Sequence, residues 1–504
     1  MRNLISAIID RINTWSGKTF LHNVLVTATF VITAAFGFII SLHYGLDQYP
    51  GYDASPMVNL ADRILHYQRA PSEFFLPFPP LFSMGAWGAF FLFGEYWRSL
   101  CVMGALFYTL SSCVFFVFVY KYLEDFILSF VLTLVFYLST AITYGFWWHT
   151  PISSIIAAIS IFLVITYKGE PVTRVMILIT LVLLAFSKPN FALFILPIGY
   201  IFCIKSHNKI RDVVHLILVF SVAWCLLSRL SGQSILDYAR SIMGIIPKRS
   251  MVISSIFNEP FLPGLFPCIF TSCIVFFSNK TTYLNLINRY KLLLTLFLVI
   301  YVYCLISNND MYEASIPIFL SFIAISIKYT ECDKKLLVTP LVIAALFIAI
   351  NGITRERVRL AGPYLFWEPS GNSVMVRDGF FKDSVIGENL FNFNMDFVHI
   401  IENYKSEKVF FGPRVEFGYA AFHLPPPVNT PLWFDRKEAW PINGESSVLR
   451  SFVKNKFDLL IFYRGDVTDF SYNMISYINH NYHKEGDYKY ALLLVKNDFS
   501  KIKN

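Results

Sequence analysis

The chain has 504 residues, of which 55% are hydrophobic and only 15% charged, with a mean hydropathy of +0.53 and a net charge of +8. Soluble domains carry about 25% charged residues, so this balance excludes an ordinary soluble protein and points to a polytopic α-helical membrane protein whose first partner is the lipid bilayer. The surplus cations require no nucleic acid, because most lie in short loops between apolar runs, where Lys and Arg set orientation.

Residues 1–23 fit either an amphipathic helix on the membrane face or a plain polar tail. Val24–Leu46 is the first run long enough to span, and no small-residue cleavage site follows it, so it reads as a retained signal anchor. The loop beyond it is acidic, Asp47-Gln48-Tyr49-Pro50-Gly51-Tyr52-Asp53, followed by a polar helix and then Pro77-Phe78-Pro79-Pro80. The segment Pro80–Phe93 is short and follows three prolines. If it lies flat on the outer surface, the later spans fall at 97–120, 126–145, 151–167, 173–187, 190–204, 212–229, 261–278, 291–306, 312–327 and 336–353. The loops at 168–174, 205–211, 280–291 and 328–335, all rich in Lys and Arg, then share the inner side. If it crossed, every later loop would swap sides and the rule would fail throughout. The pattern therefore predicts about eleven spans, N-terminus inside and C-terminus outside.

After Gly352 the chain becomes polar and rich in turns. Lys408–Gly412, Asp458–Tyr463 and Tyr488–Val495 read as strands and Val467–His480 as a helix. Pro425-Pro426-Pro427 marks a stiff loop. The division is a membrane region at 1–353, with an outer loop at 47–96, and a small outer α/β domain at 354–504. All eight cysteines lie between Cys101 and Cys332, so the C-terminal region has no disulfide of its own. No CxxC or His/Cys cluster suggests a metal site.

One face of this topology collects the unusual residues. Asp53 precedes Ala54-Ser55-Pro56, an ordinary helix-start pattern that fits a capping carboxylate; a carboxylate there also fits a general base taking a proton from a sugar hydroxyl. Asp47 is the second candidate, although its place directly after the span also fits a simple interface marker. Asp62, beside Arg63, reads as a solvated surface charge. Lys188, between two apolar runs, fits a lysine snorkelling to the headgroups or a cation that holds a phosphate leaving group. Lys248-Arg249 is an exposed basic pair or a second such cation. His149 stands in an aromatic belt expected whatever the function, and is either structural or a substrate contact. Asn309, Asp310, Tyr312 and Glu313 form a polar turn near hydrocarbon, where acids are costly, and so are candidates for substrate binding. The residues fix no cofactor; a divalent cation is left open.

In order along the chain these pieces resemble the GT-C glycosyltransferases, in the branch of the protein O-mannosyltransferases and the bacterial transferases that modify lipid A with aminoarabinose. The likeness is carried by Tyr52-Asp53 with Ala61, by Pro79-Pro80-Leu81, by Leu92-Phe93-Gly94 with Arg98, by Tyr144-Gly145 with Thr150-Pro151, by Ser187-Lys188-Pro189, and by Tyr312 with Pro317. It departs where the family carries Asp-Glu and this chain has Asp53-Ala54, and where an acid often follows Thr-Pro and this chain has Ile152. The resemblance implies a polyprenyl-phosphate sugar as donor, an outer-face glycan or lipid as acceptor, and an inverting single displacement with Asp53 as base. Within the family, size and the C-terminal region are most similar to the serotype-converting glucosyltransferases, which decorate O-antigen in the bacterial periplasm from undecaprenyl-phosphate glucose. The segment Phe410–Tyr419 resembles related bacterial membrane transferases. Trp433 and Trp440 are either sugar-stacking aromatics or core.

A transporter or flippase of lipid-linked sugars is the main rival, but it predicts paired halves and charges within spans, and neither is evident. A glycan polymerase also fits many spans with large outer loops. Reporter fusions after residue 94 and at residue 504 are both expected to report the outer side; a cytoplasmic signal at 504 overturns the topology.

Overall fold

The computed structural model describes residues 20–47, 49, 54–69, 74–75, 78–206, 208–230, 236, scattered positions between 317 and 346, and residues 373–434, 444–464 and 470–499. The expected spans at 261–278 and 291–306 lie outside the described residues, as do most of residues 1–23.

The membrane region is a bundle of apolar helices: Phe20–Leu46, Trp97–Leu123, Phe126–Tyr144, His149–Thr166, Pro171–Ala185, Ile195–Lys205 and Lys209–Leu230. The 27 residues of Trp97–Leu123 reach about 40 Å at 1.5 Å per residue, more than the hydrocarbon thickness of about 30 Å. Among the described residues, that helix, His149–Thr166 and Lys209–Leu230 are long and apolar enough to cross a membrane. Helix limits follow local chemistry. Asp125 caps Phe126–Tyr144 by accepting from the Leu128 N–H at 3.0 Å, and Gly145 ends it with φ +32°. The expected single span at 190–204 is instead a short turn of helix at Pro189–Ala192 followed by Ile195–Lys205.

The bundle has two distinct ends. At one, Asp212 pairs with Arg174 at 2.6 Å, Ser206 donates to Asp212 at 2.6 Å, and Lys205 bonds to the Ile165 carbonyl. The basic loops at 168–174 and 205–211 therefore meet there. At the other end, the Trp97 indole donates to the Gly45 carbonyl (3.1 Å), the Trp147 N–H to Leu100 (3.0 Å) and the Leu81 N–H to Phe186 (3.2 Å). Gly45 and Gly145 meet there backbone to backbone, and a Cβ on either would collide with the other.

Pro80–Phe93 begins and finishes at this second end. Leu81 bonds to Phe186, while just past the helix Glu95 meets His423 at 3.0 Å and the Trp97 N–H donates to Phe380 at 3.1 Å. The helix does not traverse the bundle, and its last turn leaves Phe91 and Leu92 exposed. The preceding helix, Ala54–Leu65, departs from expectation. It does not lie open on the surface: every residue from Ala54 to Ile64 is buried.

What covers it is the C-terminal region. Strands Val409–Phe411, Leu459–Tyr463, Ala491–Lys496 and Tyr482–Lys484 form one sheet in that order, with the first pair parallel and the others antiparallel. Three of them overlap the strands read from sequence, and the helix Tyr472–Asn481 overlaps the expected 467–480. Helix Glu388–Tyr404 packs on this unit with Leu390, Phe393, Phe397, Ile400 and Tyr404, the spacing of one helical face. Phe74–Phe75 from the first loop pairs in parallel with Thr430–Pro431, so the loop supplies both a strand and a helix to the C-terminal unit.

Candidate functional site

Lys188 sits where Pro171–Ala185 has ended and Pro189–Ala192 begins, at the second end of the bundle. It is fastened there twice. Its backbone N–H donates to the Ser153 hydroxyl at 3.0 Å, which itself donates to the His149 carbonyl at 2.7 Å. Its ammonium donates to the Thr150 hydroxyl at 3.1 Å. Lys188 is therefore not a lysine reaching out to headgroups; it is buried, 9% exposed.

Thr150 Oγ1 also lies 3.0 Å from His149 Nδ1. The hydroxyl therefore bridges the ammonium and the imidazole, accepting from the first and either donating to or accepting from the second according to the His149 tautomer. His149 stacks on Trp148 at 4.4 Å and meets Phe78 at 5.7 Å and Phe82 at 5.5 Å. Trp433 of the C-terminal region packs on Phe78 at 5.6 Å, and the Arg414 guanidinium lies 5.6 Å from the Trp433 ring centre. Both Trp433 and Arg414 are buried, so Trp433 belongs to an aromatic seam between bundle and C-terminal region; Trp440 lies outside the described residues. The Trp147 indole donates to Phe82 at 2.9 Å, and a side chain on Gly85 would strike that ring.

The loop helix carries a second set of buried polar groups. Arg63, 1% exposed, donates to Asn59 Oδ1 (3.1 Å), Gln68 Oε1 (3.1 Å), the Pro427 carbonyl (2.7 Å) and Thr430 Oγ1 (2.9 Å). Burial lowers its pKa to about 10, which leaves it charged at neutral pH. Gln68 donates to the Pro426 carbonyl at 2.7 Å and Asn59 to the Leu432 carbonyl at 2.8 Å. Asp62 is not a solvated surface charge. It is fully buried and ion-paired to His66 at 3.2 Å; burial raises its pKa, and hydrogen bonding to Asp62 raises that of His66 to about 9. At the helix start the Ser55 hydroxyl donates to Glu416 Oε2 at 2.9 Å, and burial pushes the Glu416 carboxyl up to about 7.

Of the expected site residues, the structure brings Lys188 and His149 together through Thr150. Asp47 lies just past the first helix and pairs with His43 at 3.4 Å; burial raises its pKa, against the opposing effect of His43. Asp53, Lys248, Arg249, Asn309, Asp310, Tyr312 and Glu313 lie outside the described residues. Among the described residues no group of three or more His, Cys, Asp or Glu side chains is placed to hold a metal ion. Sequence reading passed over Arg63, Arg414 and Glu416 as site residues. The signal available for Glu416 was an acid inside an otherwise apolar run, Val415 to Ala421.

No family model matches the chain, and no curated protein matches it at the level of sequence. Solved structures do. ArnT from Cupriavidus metallidurans, in a crystal structure bound to undecaprenyl phosphate, superposes with a TM-score of 0.55 and 10% identity, over 93% of this chain and 97% of that one. The fold is shared. It is the fold implied by the resemblance to the aminoarabinose-transferase branch of the GT-C class. An oligosaccharyltransferase from Archaeoglobus fulgidus, solved with zinc and sulfate, superposes at 0.44 with 10% identity, over 86% of this chain and 68% of that one, a likeness too slight to carry an argument.

Thr150→Val keeps the shape of the side chain but strips Lys188 and His149 of their shared partner. It is expected to lower the unfolding free energy by about 1–3 kcal/mol, and Thr150→Ser to restore most of it. Equal stability of all three proteins in denaturant titrations contradicts this arrangement.

Proposed function

We propose that the chain is a membrane glycosyltransferase that takes a sugar from a polyprenyl-phosphate donor and places it on a surface glycan. The observation that carries this reading is the fold shared with ArnT along nearly the whole of both chains, that protein having been solved with undecaprenyl phosphate bound. The cluster around Lys188 supports it. An ammonium fixed in a low-dielectric site stabilises charge that develops on a leaving phosphate more strongly than one in water. The exposed Phe91 and Leu92 put apolar surface at the same end of the bundle, where the reading calls for a prenyl chain.

In the reaction, an acceptor hydroxyl attacks the anomeric carbon. The bond from that carbon to the phosphate oxygen breaks, with inversion, and polyprenyl phosphate leaves with the electron pair. Asp53 takes the hydroxyl proton. Lys188, with Lys248 and Arg249, holds the phosphate, while His149, Asn309, Asp310, Tyr312 and Glu313 contact substrate. The sugar is glucose and the acceptor O-antigen or a related glycan. The protein lies in a bacterial inner membrane, its N-terminus cytoplasmic and its C-terminus periplasmic. Residues 1–353 form the catalytic membrane domain and 354–504 a periplasmic domain.

The test is incubation of the purified protein with a panel of polyprenyl-phosphate sugars and an acceptor glycan, reading release of the free lipid phosphate. Transfer from one donor is expected, and Asp53→Asn is expected to lower it by about a hundredfold to ten-thousandfold with folding intact. No transfer from any donor overturns the reading; full activity of Asp53→Asn removes the base.

A further inference from the structure

We propose that Glu416 is a positioning residue that clamps the start of the Ala54–Leu65 helix against the C-terminal region. The proposal rests on the reading of Asp53 as base, because Ser55, the residue clamped, stands two positions after it.

Glu416 is 2% exposed, and both of its oxygens are engaged. Oε2 accepts from the Ser55 hydroxyl at 2.9 Å and Oε1 from the Arg414 N–H at 3.0 Å. The Ser55 oxygen in turn accepts from the Phe417 N–H at 3.0 Å. The bond between Ser55 and Glu416 joins positions 361 residues apart. Arg414, which supplies one of the donors, holds a left-handed backbone with φ +68°, a conformation that a long side chain seldom adopts without compensation. On the other side of the motif, Tyr49 is also fully buried, and its ring meets Trp97 at 4.9 Å, Phe381 at 4.9 Å and Phe417 at 5.8 Å. The described residues on both sides of the motif therefore close on Glu416 and Phe417.

The clamp has a pH sense. Burial raises the Glu416 carboxyl from 4.5 to about 7 while the Ser55 and Arg414 contacts pull the other way, so on balance the docked state holds the proton more tightly than the unfolded chain. The stabilisation is full below the unfolded pKa and is lost as pH rises through the folded one. The groups facing it are Arg414 from its own segment, Ser55 and Arg63 from the loop helix, Tyr49 before the motif, and Tyr419 on the next turn.

Glu416→Ala and Glu416→Gln in the full-length protein provide the test. Glu416→Ala is expected to speed amide hydrogen exchange in peptides covering residues 54–65 at least tenfold, while the strands of the C-terminal sheet exchange as in wild type. It is also expected to lower kcat with little change in KM for the lipid donor. Glu416→Gln keeps a bond to Ser55 without a charge. It should retain wild-type exchange and kcat below neutrality, and should hold activity on the alkaline side where wild type declines. Wild-type exchange and kcat in Glu416→Ala overturn the clamp. If Glu416→Ala does not fold, an alkaline limb unchanged in Glu416→Gln overturns it instead. Failure of the base reading shows separately, as an active Asp53→Asn, and leaves the exchange result to decide the clamp.

Discussion

The arrangement depends on one buried guanidinium. Arg63 has five N–H donors and no acceptor, and its burial carries a desolvation penalty of several kcal/mol unless those donors are met. Four bonds meet them from two directions: Asn59 and Gln68 belong to the first loop, while Pro427 and Thr430 lie more than 360 residues away. Prolines suit this role, because they carry a carbonyl acceptor and no N–H that would itself need a partner. Removing the C-terminal loop would leave a charged side chain in an apolar pocket beside Phe74. The first loop and the C-terminal region are therefore one structural unit, and the loop helix cannot also lie free on the bilayer surface.

That unit sits on a stiff platform. At the same end of the bundle, side chains give way to backbone contacts: Gly45 against Gly145, and Gly104 against Phe146. The Trp147 ring fills the space left by Gly85. Close packing of this kind leaves few alternative arrangements. Lys188 and His149 are held by short bonds through Thr150 and Ser153 on this platform rather than on a loose loop. In the proposed reaction, groups mounted this rigidly would need no reorganisation as charge develops on a leaving phosphate.

Much of this was legible in the sequence, and the reason lies in which residues carry local information. The spans were read from apolar runs and the basic loops, and the helices that start at Trp97, Phe126 and Lys209 fall where those runs begin. The flat placement of Pro80–Phe93 followed from charge bookkeeping over the later loops; in the structure the contacts at both limits of that helix lie at one end of the bundle. The break after Lys188 was marked by Pro189 but read as a boundary between spans rather than as a short helical turn. Asp62 and Arg63 were misjudged because a charged pair on an amphipathic helix looks solvated until its partners are known, and those partners are distant in sequence. Lys188 has the same explanation, since Thr150 and Ser153 stand almost 40 positions earlier. Of the candidate site, the sequence marked Lys188 and His149; it gave Glu416 no role, because a lone buried acid has no periodic signature.

The most direct measurement of the interaction at the centre of this account is a double-mutant cycle between Arg63 and Thr430, followed by unfolding of the purified protein in denaturant. Arg63→Met and Thr430→Val each remove one side of a buried bond of 2.9 Å. Their combined effect should fall short of the sum of the two single effects by about 1–2 kcal/mol. Effects that add to within about 0.3 kcal/mol would mean that the two residues do not meet, and that the first loop and the C-terminal region are not joined at that seam.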